Sequence, residues 1–195
     1  MYKKVVVLPE NKQPKGDENR FNTLWKTYRK DLITYAIIFA ISFLFIPKYI
    51  AEGVKVDGAS MENTLQDQDK LITEKITTQF GTIKRFDIVI FDPHNDIDKY
   101  WIKRIVGLPG ETIQIIGENI FINGELLEEH YGKDPIHNAG IASEPVLLGD
   151  NEYFVLGDNR TNSTDSRIVG PIKKEDIAGR ACFCLWPLSD FGILD

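Results

Sequence analysis

The sequence predicts a mostly β domain preceded by one membrane-spanning helix. Three observations predict it. Short apolar runs with period-two alternation recur from Val54 onward, separated by Gly, Pro and Asn turns. Helical periodicity in the same stretch is weak. Upstream, Leu32 to Ile46 (LITYAIIFAISFLFI) carries no charge at all.

Taken in order, residues 1–30 include PENKQPKGDENR, a polar stretch without periodicity, and read as a disordered cytoplasmic tail. The apolar run continues through PKYI to Ile50. A bilayer core needs roughly 17–25 helical residues, so only the segment 31–50 is long enough to span. It is apolar on all faces, which suits lipid better than a one-sided core. A cleaved leader would show small residues at a cleavage site, and IPKYIAEGV offers none that is convincing. Lys26, Arg29 and Lys30 precede the span. Positive flanks stay inside, which puts the N-terminus in the cytoplasm and residues 51–195 outside the cell membrane.

In residues 51–195 the strand signals are GVKVDG, DKLITEKI, RFDIVIFD, KYWIKRIVGL, ETIQIIGENIFINGELL, EYFVLGDN and IAGRACFCLWPL. Gly117-Glu118-Asn119 and Asn123-Gly124 mark hairpin turns. KKEDIAG suggests a short turn of helix, and YGKDPIHNAGIASEPVLLGD reads as a long loop. The whole is one mostly β domain of many short strands.

Composition narrows the function. A net charge of -6 gives the chain no general attraction for nucleic acid. Two cysteines, Cys182 and Cys184, exclude a disulfide framework; on a regular strand both would point to one face. They read as reduced thiols of a core strand. His94, His130 and His137 show no metal-ligand spacing, and DPHNDID lacks the glycine and terminal glutamate of a calcium loop, so no metal or cofactor is expected.

Catalytic candidates follow from pKa logic. Ser60, in VDGASMENTL, lacks the second glycine of a nucleophile elbow, and no histidine has a context that recommends it as base. A lysine can activate serine, but its ordinary pKa of ~10.4 must fall. That requires burial among apolar groups. Lys103, in YWIKRIVGL, sits inside a strand with Trp101 and Ile105 as same-face neighbours, and Arg104 faces the other way. The competing reading is an exposed lysine on a half-buried strand.

GASMENTL, RFDIVIF, YWIKRIVGLPGE and GDNRTNSTDSR follow one another after a single N-terminal span. Together they resemble the type I signal peptidases, in particular the Gram-positive, single-span kind. The resemblance runs from about residue 26 to 188. It implies a β fold shared with the SOS repressors, a Ser-Lys dyad, and hydrolysis of signal peptides after Ala-x-Ala at the lipid bilayer. It implies Ser60 as nucleophile, Lys103 as general base and the Ser60 N–H as an oxyanion donor. Gly58 stands where some members carry a further hydroxyl donor. Ser163 matches the residue that orients the lysine amine. Asp165 and Arg167 match the pair that holds the loop, with Asp158 and Arg160 as further structural members. Met61, Leu65 and LWPLSDFGIL are expected to form an apolar rim toward substrate and lipid; the competing reading is core or strand packing. One departure is Asn63, where the family usually has proline. The competing classes are an impaired paralogue, an anchored binding module and a self-cleaving Ser-Lys protein. The last would need an internal scissile site and usually a DNA-binding domain.

Overall fold

The computed structural model describes residues 16–94, 99–132 and 134–194. The chain divides into two units, residues 1–45 and 46–195.

The first unit is helical. Helix α1 (Gly16–Ala40) runs into a π turn, Ile41–Phe45. Leu32, Ile33, Ile37, Phe39, Phe43 and Leu44 are exposed, and the Phe39 and Phe43 rings stack at 5.6 Å. Among the described residues, no helix is long and apolar enough to cross a membrane. The reason is visible in the sequence. The first half of α1 is polar, and the apolar run is shared between its last turns, the π turn and a short helix α2 (Ile46–Tyr49). A π turn takes in an extra residue and interrupts the regular ladder.

The second unit begins with α2 and is built on two antiparallel sheets. Its elements are β1 (Ala51–Lys55), β2 (Lys70–Glu74), α3 (Ile76–Phe80), β3 (Ile88–Phe91), β4 (Trp101–Gly107), β5 (Thr112–Ile116), β6 (Asn119–Ile122) and β7 (Glu125–Leu126). Then come β8 (Val146–Leu147), β9 (Glu152–Leu156), α4 (Ser166–Val169), β10 (Ile172–Lys173), β11 (Ile177–Trp186) and β12 (Gly192–Ile193). The larger sheet has the order β1-β2-β11-β3-β4-β9-β10, with β12 added to β11; the smaller has the order β7-β6-β5-β8. The predicted strands and both hairpin turns are present. The helix α3 and the short elements within the predicted long loop are additions.

Strand β3 separates two cores. Ile88 and Ile90 pack with Val56, Met61, Leu65, Leu71 and Cys184. Val89 and Phe91 point the other way, toward Ile105, Tyr153 and Val155. A third core, around Ile113, Ile120, Phe154 and Leu156, joins the smaller sheet to β4 and β9.

Two expectations need correction. Met61 and Leu65 are 0% and 1% exposed and belong to the core, not to an apolar rim. They anchor the turn that carries Ser60, since Leu65 N–H donates to Met61 O at 2.8 Å. Cys182 and Cys184 do not share a face. The register of β11 against β2 shifts between Ala181 and Phe183, and this bulge breaks the alternation, so Cys184 is buried while Cys182 is half-buried. The segment LWPLSDFGIL does reach the surface, with Trp186, Leu188, Phe191 and Ile193 more than half exposed.

Candidate active site

The turn after β1 presents Ser60. Pairing continues past β1, with Val56 N–H donating to Asp69 O and Gln68 N–H to Val56 O. At Gly58 the backbone takes φ +109, a conformation that favours glycine, and its N–H donates to Asp67 Oδ1 at 3.0 Å. Glu62 N–H donates to Ala59 O, closing a tight turn whose apolar side is buried. Asn63 has φ +90. Asparagine tolerates positive φ, whereas proline is fixed near -65°. The departure from the usual proline therefore matches the backbone of this turn.

Lys103 arrives from β4, whose residues Lys103 to Gly107 are buried on both faces. Its Nζ donates to Ser60 Oγ at 2.7 Å and to Ile102 O at 2.9 Å, and lies 5.6 Å from the centre of the Trp101 ring. The side chain is almost fully buried, with the residue 4% exposed. Burial pushes its pKa down to about 8, against the opposing pull of the Asp165 and Asp158 carboxylates. An amine in that range keeps a neutral fraction of roughly a tenth to a fifth near physiological pH, far more than an ordinary lysine, and that fraction can accept a proton.

The segment Gly157–Asp165 locks the serine turn from behind. Asn159 N–H donates to Ser60 O at 3.1 Å, and Asn159 Nδ2 donates to Ala59 O and to Glu62 Oε2. The Ser60 N–H has no hydrogen-bond partner among the described residues. Gly157 has no room for a side chain: a Cβ there would lie 2.2 Å from Ser163 Oγ and 2.5 Å from Ser60 O. Asp165 Oδ2 accepts from Gly157 N–H at 3.0 Å and from Arg167 Nη2 at 2.8 Å, so this pair ties the two ends of the segment together.

The other matched residues are near the dyad, but with different partners. Ser163 Oγ is buried and makes no hydrogen bond among the described residues; the lysine amine is held by Ser60 and Ile102 instead. Asp158 pairs with Arg104, both fully buried, at 2.8 Å. Arg104 does face away from Lys103, yet it is 0% exposed, because Asp158, Phe86 O and the Tyr131 ring surround its guanidinium. Thr64 Oγ1 donates to the same carboxylate, which links the serine turn to β4. Sequence reading missed Arg104 and Asn159. Their signal was present: one is the neighbour of Lys103 and the other lies within GDNRTNSTDSR.

In front of the Ser60–Lys103 pair lies a cleft of about 520 Å³. Val54, Val56, Ile90, Trp101 and Ile102 give it apolar walls around Ser60 and Lys103. None of the histidines lines it. A larger cavity, about 680 Å³, is lined by Gln79, Asp150, Glu152, Lys174 and other polar residues and shares no residue with the cleft. Among the described residues no cluster of His, Cys, Asp or Glu could hold a metal ion.

Comparison with known proteins returns one family and a consistent set of relatives. The model of the family described as signal peptidase, peptidase S26, matches residues 29–186. A probable signal peptidase I-2 of Synechocystis sp. is 37% identical over 186 residues, covering 92% of this chain and 82% of that protein. Signal peptidase I of Leptolyngbya laminosa is 35% identical, with 95% and 89% covered. Signal peptidase I T of Bacillus subtilis is also 35% identical, with 89% and 96% covered. Among solved structures, a signal peptidase I from Enterococcus faecalis aligns at 32% identity and a TM-score of 0.43, over 51% of this chain and 96% of that one.

Proposed function

This chain belongs to the signal peptidase family, peptidase S26, and from that premise we propose how its residues do the work of the serine endopeptidase that removes signal peptides. The observation that carries the mechanism is the 2.7 Å hydrogen bond between the buried Lys103 amine and Ser60 Oγ.

Neutral Lys103 takes the Ser60 proton as Oγ bonds to the scissile carbonyl carbon. The carbonyl oxygen becomes an oxyanion and is stabilised by the Ser60 N–H. With Gly58 in place of a hydroxyl residue, no side-chain donor is supplied from that position. The tetrahedral intermediate collapses, the C–N bond breaks, and Lys103 returns the proton to the leaving amine. Water then gives a proton to Lys103 and bonds to the acyl carbon; the C–Oγ bond breaks, Lys103 returns that proton to Ser60 Oγ, and the product leaves as a carboxylic acid that ionises in water.

The sheet favours an extended substrate. On one side β4 pairs with β3 through Trp101 to Arg104, but on the other it pairs with β9 only from Arg104 onward. The Trp101–Lys103 edge is left facing the cleft. Strand β1 pairs with β2 alone and offers a second free edge. A peptide strand added between them would place its scissile bond at Ser60 and its small side chains against the shallow apolar walls, as an Ala-x-Ala site requires.

The anchor belongs to the same reading. Segment 31–50 crosses the cell membrane, with the N-terminus in the cytoplasm and residues 51–195 outside. The charge-free run 32–46, its exposed apolar side chains and the basic residues Lys26, Arg29 and Lys30 support this. The test of the function is cleavage of a preprotein with an Ala-x-Ala site in detergent–lipid micelles. Cleavage after the second alanine by the parent, and none by Ser60→Ala or Lys103→Ala, is expected. Undiminished cleavage by either variant would overturn the dyad.

A further inference from the structure

The segment Gly157–Asp165 and its flank hold two arginines and two aspartates besides the catalytic neighbours, yet they do not pair among themselves in full. Asp165 is taken by Arg167 and Asp158 by Arg104. Arg160, with only 2% of its side chain exposed, has neither. A guanidinium so buried needs a charge partner. Its partner is Glu129, from the stretch that follows β7 and leaves the smaller sheet. Arg160 Nη1 and Nη2 donate to Glu129 Oε1 and Oε2 at 2.5 and 2.7 Å, a two-pronged contact that fixes orientation as well as distance.

The contact is built into the backbone. A Cβ on Gly132 would lie 2.7 Å from Arg160 Cζ, so a larger residue there would push the guanidinium from its present place. Arg160 Nε donates to Gly157 O at 3.0 Å, and Arg160 O accepts from Arg167 Nη1 at 2.9 Å. Two residues after Gly157, Asn159 holds Ser60 O and Ala59 O. Hydrogen bonds from Glu129 to Arg160 and from Arg160 to Gly157, the short main-chain step to Asn159, and the Asn159 hydrogen bonds thus connect Glu129 to the serine turn.

We propose that Glu129 is a positioning residue of the active site, acting through Arg160 to fix the segment that holds Ser60 against Lys103. The proposal rests on the Ser60–Lys103 reading above. Without the Glu129 carboxylate, Arg160 carries an unpaired buried charge and must turn toward water or toward Asp158 or Asp165, pulling Gly157 and Asn159 with it. Displacements on the order of 1 Å at reacting atoms cost roughly 100-fold in rate.

The test is steady-state cleavage of an Ala-x-Ala preprotein by the full chain in detergent–lipid micelles, well below the unfolding midpoint of each variant. Glu129→Gln is expected to lower kcat by about 10- to 100-fold with KM within about twofold of the parent. Combined with Asn159→Ala it is expected to lower kcat no further than Asn159→Ala alone, because both act through one linkage. A role in stability alone would give additive losses that vanish on cooling. Should Glu129→Gln not fold, Glu129→Asp keeps the charge with a shorter reach, and a loss of kcat at constant KM is again expected. Parent-like kcat in the folded variant, or fully additive effects, overturns the proposal. An inert parent overturns the Ser-Lys reading and this proposal with it; an active parent with an indifferent Glu129 overturns this proposal alone.

Discussion

At Lys103 a single methylene-rich side chain carries a cost and, in the proposed mechanism, a function. Its pKa falls to about 8 because burial disfavours the ammonium form. Between about 8 and the ordinary lysine value the unfolded chain binds more protons than the folded one, so stability rises with pH across that window. Below about 8 the cost is fully present, on the order of 3 kcal/mol. Lys103→Met is therefore expected to abolish cleavage while raising the urea midpoint at neutral pH. A variant less stable than the parent would contradict the buried-base account. Asn63 is the second residue whose conformation matters. Asn63→Gly should keep at least half of the parent's turnover, since φ +90 suits glycine. Asn63→Pro should lower turnover by about tenfold or more, because the turn between Met61 and Leu65 would have to be rebuilt. The opposite order of the two variants in a cleavage assay would show that the turn is indifferent to φ at this position.

At the scale of elements, β4 presents two buried basic side chains on opposite faces, and the sheet treats them differently. Lys103 faces the cleft, and burial lowers its pKa against the pull of the Asp165 and Asp158 carboxylates. Arg104 is neutralised by Asp158 at 2.8 Å, with Thr64 completing the carboxylate's bonds. Asp158→Asn should destabilise the domain by about 3–5 kcal/mol, as expected when one partner of a buried pair is removed. Urea unfolding measures it, and a change below about 1 kcal/mol would mean that Arg104 reaches water. How legible these elements were depends on periodicity. Strand β4 announced itself by its apolar run, and the dyad by a lysine within it. Strand β3 was legible too, although all four of its residues are buried. The bulge in β11 was not, because one extra residue leaves no mark in an alternating sequence, and it moved Cys182 off the face of Cys184. Met61 and Leu65 were misread for a related reason: composition marks a residue as apolar but does not say which side of a turn faces inward. The partners of Asp158 and Arg160 were also hidden. Arg104 and Glu129 are distant in sequence, and ion pairing at such separations has no local signature.

For the whole molecule, the proposed anchor explains why a protein with net charge -6 carries a basic cluster just before its apolar segment. The chain is expected to stay with membranes through alkaline carbonate extraction, and protease added to intact spheroplasts should digest residues 51–195. Release by carbonate, or full protection from the protease, would contradict the topology. The order of motifs along the chain was the most legible feature at this scale, since it follows chemistry rather than packing. The division of the apolar segment by a π turn was not visible beforehand, because hydropathy does not record the hydrogen-bond ladder.

The central claim is that a buried, neutral Lys103 activates Ser60, and a pH–rate profile tests it most directly. kcat/KM for an Ala-x-Ala preprotein would be measured from about pH 6 to about pH 10, with the full chain in detergent–lipid micelles. The account predicts a rate that falls on the acid side through one ionisation near about 8, where Lys103 takes up its proton. A rate that stays level through that range, with the protein folded throughout, would show that some other group accepts the Ser60 proton.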